Sequence, residues 1–166
     1  SEKKIGGFSV SPQGTYIATA SLDRTMKMWD VRNLGEAVGT YDSRLSISST
    51  SWNKDNQFVC NGYDNTINIF DATKLGEMKP TVRLKQKCQT GRWVSILKSR
   101  WQQNPRDGVQ KVVIGDMSRC IDICAADGQQ IARLDEGVTA VPAVVAMHRE
   151  NNWVVGGNAT GKVFIW

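Results

Sequence analysis

The chain has 166 residues, 40% of them apolar, and 21 Lys and Arg against 16 Asp and Glu give a net charge of +5. The apolar content is enough for a core, yet no apolar run is long enough for a membrane helix, and no secretory signal is read. The charge fits an anionic partner without requiring one. The four cysteines, Cys60, Cys88, Cys120 and Cys124, contain no Cys-x-x-Cys pair and read as buried reduced thiols of a cytosolic or nuclear protein.

Short β-type runs follow one another along the whole chain. The first four fall at 5–11, 16–21, 25–29 and 37–41, with Pro12-Gln13-Gly14 as turn chemistry between the first two. A second set falls at 46–52, 57–61, 66–70 and 81–85. A third, longer set falls at 96–101, 111–115, 120–124 and 130–134, with turns at 104–108 and at Asp127-Gly128. The last set has three members, at 143–147, 153–157 and 162–166. No long segment carries the i, i+3, i+4, i+7 apolar spacing of a helix.

Two of these sets are near-copies. Asp23-Arg24-Thr25-Met26-Lys27-Met28-Trp29-Asp30 returns 41 residues later as Asp64-Asn65-Thr66-Ile67-Asn68-Ile69-Phe70-Asp71. A period of about 40 residues, built of short strands and closed by an aromatic-Asp pair, is the mark of a WD-repeat blade. The expectation is an all-β WD-repeat β-propeller of about four blades, at 3–44, 45–87, 88–137 and 138–166, the last lacking its outer strand. That count and the missing strand suggest the C-terminal part of a seven-bladed ring, or a ring with an unusual closure. Within each third strand the residues at i and i+2 share a face. Met26, Met28, Ile67, Ile69, Ile121, Ile123, Val163 and Ile165 are therefore expected to fill the spaces between blades.

With four antiparallel strands a to d per blade, the d–a and b–c loops lie on one face and the a–b and c–d loops on the other. The first face should carry Arg24, Arg44, Lys87, Arg92, Trp93 and Arg119, and the second Arg32. Between Arg83 and Arg100 there are six basic residues and no acid. Thr90-Gly91-Arg92-Trp93 lies within that run. Cations there would neutralise phosphates and release counterions, while the ring would stack on or wedge between bases. The alternative is a packed Trp93 among solvated cations.

The array, with Thr90-Gly91-Arg92-Trp93 followed by Trp101, resembles the WD-repeat family of DNA-damage-binding proteins. That family includes a fungal protein implicated in mutation rate, its animal relatives and, more distantly, the small subunit of the UV-damaged-DNA-binding complex. The other residues carrying the resemblance are 18–25 with Trp29-Asp30-Val31-Arg32, and Gly156-Gly157-Asn158-Ala159-Thr160-Gly161-Lys162. The resemblance implies binding of double-stranded, damaged DNA in nuclear chromatin, in DNA metabolism and repair. In the distant subunit a tripeptide of aromatic, amide and imidazole side chains enters the duplex. It falls on Gly91, Arg92 and Trp93 here, so the ring is displaced by two places. Trp29-Asp30-Val31-Arg32 looks like the box by which propellers dock onto the adaptor of cullin–RING ubiquitin ligases, with Arg32 as the planar donor fork. Histones or a chaperonin are further implied partners. The competing expectation is an interaction scaffold or substrate receptor that docks such an adaptor and has no intrinsic DNA affinity. The steep salt dependence of a DNA reader separates the two.

Other motifs carry less. Gly156 to Lys162 fits G-x-x-x-x-G-K, but Val163 stands where a phosphate loop needs Ser or Thr, and a strand follows instead of a helix. His148 is the only histidine and has no metal-ligand spacing around it. Asp23 and Asp64 read as turn anchors. No nucleophile–base pair is visible, so neither an enzyme, a cofactor, a metal nor a membrane partner is expected.

Overall fold

The computed structural model describes residues 3–74, 78–91 and 93–166, and none of these residues is helical. Four antiparallel sheets follow one another in chain order. The first contains β1 (Ile5–Val10), β2 (Tyr16–Ser21), β3 (Thr25–Asp30) and β4 (Gly39–Asp42). The second contains β5 (Ile47–Trp52), β6 (Gln57–Gly62), β7 (Thr66–Asp71) and β8 (Val82–Lys85). The third contains β9 (Arg100–Trp101), β10 (Lys111–Asp116), β11 (Cys120–Ala125) and β12 (Gln130–Leu134). The fourth has three strands, β13 (Val144–Met147), β14 (Val154–Gly157) and β15 (Val163–Ile165). Each strand pairs with its chain neighbours, as expected of propeller blades.

Three apolar layers join the four blades. Ala18, Ala20, Met26 and Met28 of the first meet Trp52, Phe58 and Phe70 of the second. The Phe58 and Phe70 rings stack at 4.9 Å, and Tyr41 meets Phe70 edge-on at 5.0 Å. Val59, Ile67 and Ile69 meet Leu97, Trp101, Val112 and Ile114 in the next layer. Val113, Ile121 and Ile123 meet Val154, with Val145, Met147 and Trp166 at the edge. Burying each such side chain contributes about 1.5–3 kcal/mol. All four cysteines are free and buried.

Two expectations are corrected. Val163 is 67% and Ile165 72% exposed, although they hold the register positions of Met26 and Met28. Their face is the far side of the fourth sheet, and no described residue packs across it as a fifth blade. The strand expected at 96–101 is reduced to the two residues of β9. The polar groups of 97–101 are instead engaged by the second blade. Asn61 Nδ2 donates to the Leu97 carbonyl at 2.9 Å, Ser99 N donates to Asn61 Oδ1 at 2.9 Å, and Trp101 N to Ser51 Oγ at 3.2 Å. Gly115 of β10 marks a close approach of another part of the chain. A Cβ there would stand 2.1 Å from the Pro142 carbonyl oxygen, because the next connection crosses at that point.

Strand β5 is the most polar buried element, and every one of its hydroxyls is satisfied. Ser48 Oγ donates to the Asn61 carbonyl at 3.1 Å, Ser49 bonds the Asn61 side chain, and Thr50 Oγ1 donates to the Ala18 carbonyl at 3.3 Å. Most buried polar groups in folded proteins are paired in this way.

Candidate nucleic-acid interface

The d–a connections are laced to the b–c turns on the same face. Ser43 N donates to the Arg24 carbonyl at 2.9 Å, and Ser46 Oγ to the Leu22 carbonyl at 3.0 Å. In the next seam Gln86 N donates to the Asn65 carbonyl, while Cys88 N and Gln89 N donate to Asn65 Oδ1 at 3.0 and 2.8 Å. Lys87 is held from the other side: its N donates to Asp116 Oδ2 at 3.0 Å, its carbonyl accepts from Met117 N, and its Nζ lies 3.0 Å from Ser118 Oγ. These bonds bring Arg24, Arg44, Lys87 and Arg119 to one face, together with the connection that bears Trp93.

The four b–c turns share one backbone feature. Arg24 (φ 76°), Asn65 (φ 58°), Arg119 (φ 66°) and Gly161 (φ 80°) occupy the same register position, one residue before the first residue of β3, β7 and β11 and two before that of β15. The left-handed conformation suits Gly and Asn and penalises a side chain such as Arg. Carboxylates brace the turns. Asp23 Oδ1 accepts from Thr25 N at 2.9 Å and Thr25 Oγ1 at 2.6 Å, and Asp64 Oδ1 accepts from Thr66 N and Oγ1 at 3.2 and 2.8 Å. Both arginines are exposed, and neither has an ion-pair partner among the described residues.

Trp93 sits in a turn and is 85% exposed, the most exposed large apolar side chain described. Arg92 lies outside the described residues. Other members of the basic run have diverged in role. Arg83 is spent on structure, donating to Asn68 Oδ1 at 2.9 Å and to the Tyr41 hydroxyl at 2.8 Å, while Lys85, Lys87, Lys98 and Arg100 are exposed. Exposed acids on this face, Asp42, Asp135 and Glu136, stand at the ends of the outer strands. Trp101 is a core residue at 3% exposure.

Arg32 follows the β3 end that points to the opposite face. Its side chain is 78% exposed, and its Nε and Nη2 donate to Asp30 Oδ1 and Oδ2 at 3.0 and 2.6 Å. Those bonds hold the Asp30 carboxyl down at about 2 and raise the guanidinium. In the second blade Asp71 accepts instead from Thr73 N and Oγ1 at 2.9 and 2.7 Å. Asn158 braces the turn between β14 and β15 through Thr160 and Lys162, so the G-x-x-x-x-G-K segment is a strand-to-strand turn. His148 Nδ1 accepts from Glu150 N and Asn151 N at 3.2 and 3.0 Å, which places it in a turn.

Sequence reasoning missed Asn61 and Gln86. Gln86 Nε2 bridges the buried carboxylates of Asp116 and Asp122 at 3.0 and 2.9 Å, and Arg133 closes on Asp122 at 2.7 Å. Their partners come from the next blade, so no local pattern announces them.

The family model described as "WD domain, G-beta repeat" matches residues 2–30 and 35–71. The chain is 50% identical over 99% of its length to a protein of Scheffersomyces stipitis named "DNA damage-binding protein CMR1", covering 36% of that protein. Proteins with that name from Candida albicans and Emericella nidulans are each 45% identical, over 99% and 100% of this chain and 35% of their own lengths. The chain thus spans about a third of these relatives. A solved structure, the computationally designed Ika4 protein, superposes with a TM-score of 0.73 at 18% identity, covering all of this chain and 92% of that one; this likeness concerns the fold alone. The chain carries WD repeats in its first two blades and folds as four propeller-type blades. It is homologous over its whole length to the fungal proteins named DNA damage-binding protein CMR1.

Proposed function

We propose that the d–a/b–c face is a DNA-binding surface and that the chain acts as a non-enzymatic damage-binding module in the nucleus. One observation carries this reading: Trp93 is 85% exposed in the connection that also bears Lys87, while Arg24, Arg44 and Arg119 lie in or beside the other loops of the same class. The cations meet phosphates, and the ring meets bases that damage has already loosened. The name borne by the fungal relatives supports the assignment.

Binding of the full-length protein to intact and lesion-bearing duplexes across a salt series tests it. Lys87→Ala and Arg119→Ala should each weaken both probes and lower the salt slope by about 0.9. Trp93→Ala should cost about 1–3 kcal/mol on lesion-bearing DNA and leave the slope unchanged. Arg32→Ala, on the opposite face, should change neither. Early melting of Trp93→Ala with binding intact would overturn the reading.

A second reading rests on Arg32. Its guanidinium is exposed yet oriented by Asp30, so a docking partner finds the planar fork already fixed. A ubiquitin-ligase adaptor, histones or a chaperonin would dock there, and loss of co-purification with Arg32→Ala and unaltered DNA binding would identify that role.

A further inference from the structure

Two hollows beside segment 94–100, which follows Trp93 in the chain, share a wall. The first, about 460 Å3, is lined by Val94, Ser95, Val144, Arg119 and Asn158 among others. The second, about 520 Å3, is lined by Ser95, Ile96, Lys98, Arg100 and Val144 among others. Ser95, Ala143 and Val144 belong to both. The hollows therefore form one groove that runs from the Arg119 turn along segment 95–100 to β9.

Among the described residues the groove is lined by three cations, Arg119, Lys98 and Arg100, and by no carboxylate. All three are exposed. Between them lies an apolar floor on which Ile96 is 40% and Val144 69% exposed. Asn158 Nδ2 is buried and has no hydrogen-bond partner among the described residues, because the Asn158 oxygen alone braces its turn. A buried donor left without a partner is unfavourable, so an acceptor such as a base carbonyl would be favoured beside it. Hollows of this size admit single ring-sized groups and exclude a double helix. Regular negative charge, flat apolar groups and carbonyl acceptors belong together on a nucleic-acid strand whose bases are unpaired. A basic track with an adjacent exposed aromatic is the arrangement that holds such a strand.

We propose that this groove holds an unpaired segment of DNA, so that the face selects DNA carrying a gap, bulge or opened lesion over a fully paired duplex. The inference rests on the DNA-binding reading above and names the structure of its ligand. Arg119, Lys98 and Arg100 neutralise successive phosphates, Val144 and Ile96 bear the bases, and Trp93 stacks at the mouth.

The test measures affinities of the full-length protein for oligothymidylate, a gapped duplex and a fully paired duplex, with oligouridylate as the RNA arm. Oligothymidylate and the gapped duplex should bind at least about tenfold tighter than the paired duplex. The double variant Lys98→Ala/Arg100→Ala should lose about tenfold or more on those two probes. Its salt slope should fall by about 1.4, two contacts at the ~0.7 typical of single strands, with the paired duplex changed less than about twofold. If the double variant melts early, Val144→Glu, which sets a carboxylate on the floor from an exposed position, reads the same groove. Equal affinity for gapped and paired duplexes, or equal losses on both, would overturn the groove assignment while leaving the DNA reading in place. Absence of binding to every DNA probe would overturn both, and tighter binding of oligouridylate would replace DNA by RNA as the ligand.

Discussion

Strands β7 and β15 carry the same pattern in the same register, and they live in opposite surroundings. Ile67 and Ile69 are 1% and 0% exposed, packed between the second and third blades. Val163 and Ile165 are 67% and 72% exposed on the far face of the fourth sheet. Period-two alternation identifies which face a residue occupies, whereas burial also requires a second surface to pack on that face. Strand β7 has that surface in Leu97, Val112 and Ile114; among the described residues β15 does not. The comparison is sharpest in a pair of truncations. In the 166-residue chain, Ile69→Ala should cost about 2–5 kcal/mol in urea denaturation, since it opens a cavity in a closed layer. Ile165→Ala should stay within about 0.5 kcal/mol. Equal costs would show that the fourth sheet has a covering partner.

The same contrast applies to the position facing each b–c turn. Ala20, Asn61, Gly115 and Gly157 are register equivalents, paired with Met26, Ile67, Ile121 and Val163. Only Asn61 reaches across a seam, to Leu97 and Ser99. Asn61→Ala leaves the Leu97 carbonyl and the Ser99 N–H unpaired in the interior, at about 1–3 kcal/mol for each group. Ser99→Ala, which removes one hydroxyl and leaves both backbone groups bonded, should cost less than Asn61→Ala by the same denaturation assay.

How much was readable from sequence follows from the range of the interactions. The 41-residue repeat, the aromatic-Asp ends and the turn aspartates are local, and they gave the blades, their strand order and the face on which each loop lies. Asn61 and Gln86 were unreadable because their partners lie 30 to 38 residues onward, in another blade. The shortening of β9 has the same origin, since segment 97–101 bonds to the second blade. For the candidate site, Arg24, Arg44, Lys87, Trp93 and Arg119 lie in or beside the b–c turns and d–a connections that the strand order puts on one side, and Arg92 lies outside the described residues. Arg83 was indistinguishable from its neighbours in the basic run, and only the fold shows that it is consumed by Asn68 and Tyr41.

The cysteines extend the comparison to pH, because Cys60 and Cys88 fall in the first two apolar layers and the fourth sheet has none. Burial is the largest cause that pushes Cys88 up to about 12 and Cys60 upward as well. A thiol whose folded value exceeds its ordinary value near 9 contributes stability that is fully present below that pH. The contribution is lost as the pH rises through 9 toward about 12. The denaturation midpoint should therefore fall over that window, and less steeply in Cys88→Ala than in the parent. Iodoacetamide should leave Cys60 and Cys88 unmodified in the native protein and alkylate both on unfolding. Rapid native-state alkylation would show that the layer around them opens.

The smallest effect concerns the turns themselves, where blades one and three differ from two and four. All four hold a left-handed residue, but only Asn65 and Gly161 are of types that adopt it readily. Arg24 and Arg119 carry a backbone penalty of about 1–2 kcal/mol. Glycine would relieve it at an entropic cost of about 0.5–1 kcal/mol. Arg24→Gly and Arg119→Gly should therefore leave stability unchanged or raise it by up to about 1 kcal/mol, while each weakens DNA binding through the lost cation. Asn65→Ala should do the reverse, since it keeps the strained backbone and removes the acceptor of Cys88 N and Gln89 N. A clear loss of stability in Arg119→Gly would mean that the guanidinium packs against the fold. Gain of stability with loss of affinity would mean that the strained arginines are retained for what they contact outside the protein, which is the relation expected where backbone strain accompanies a binding site.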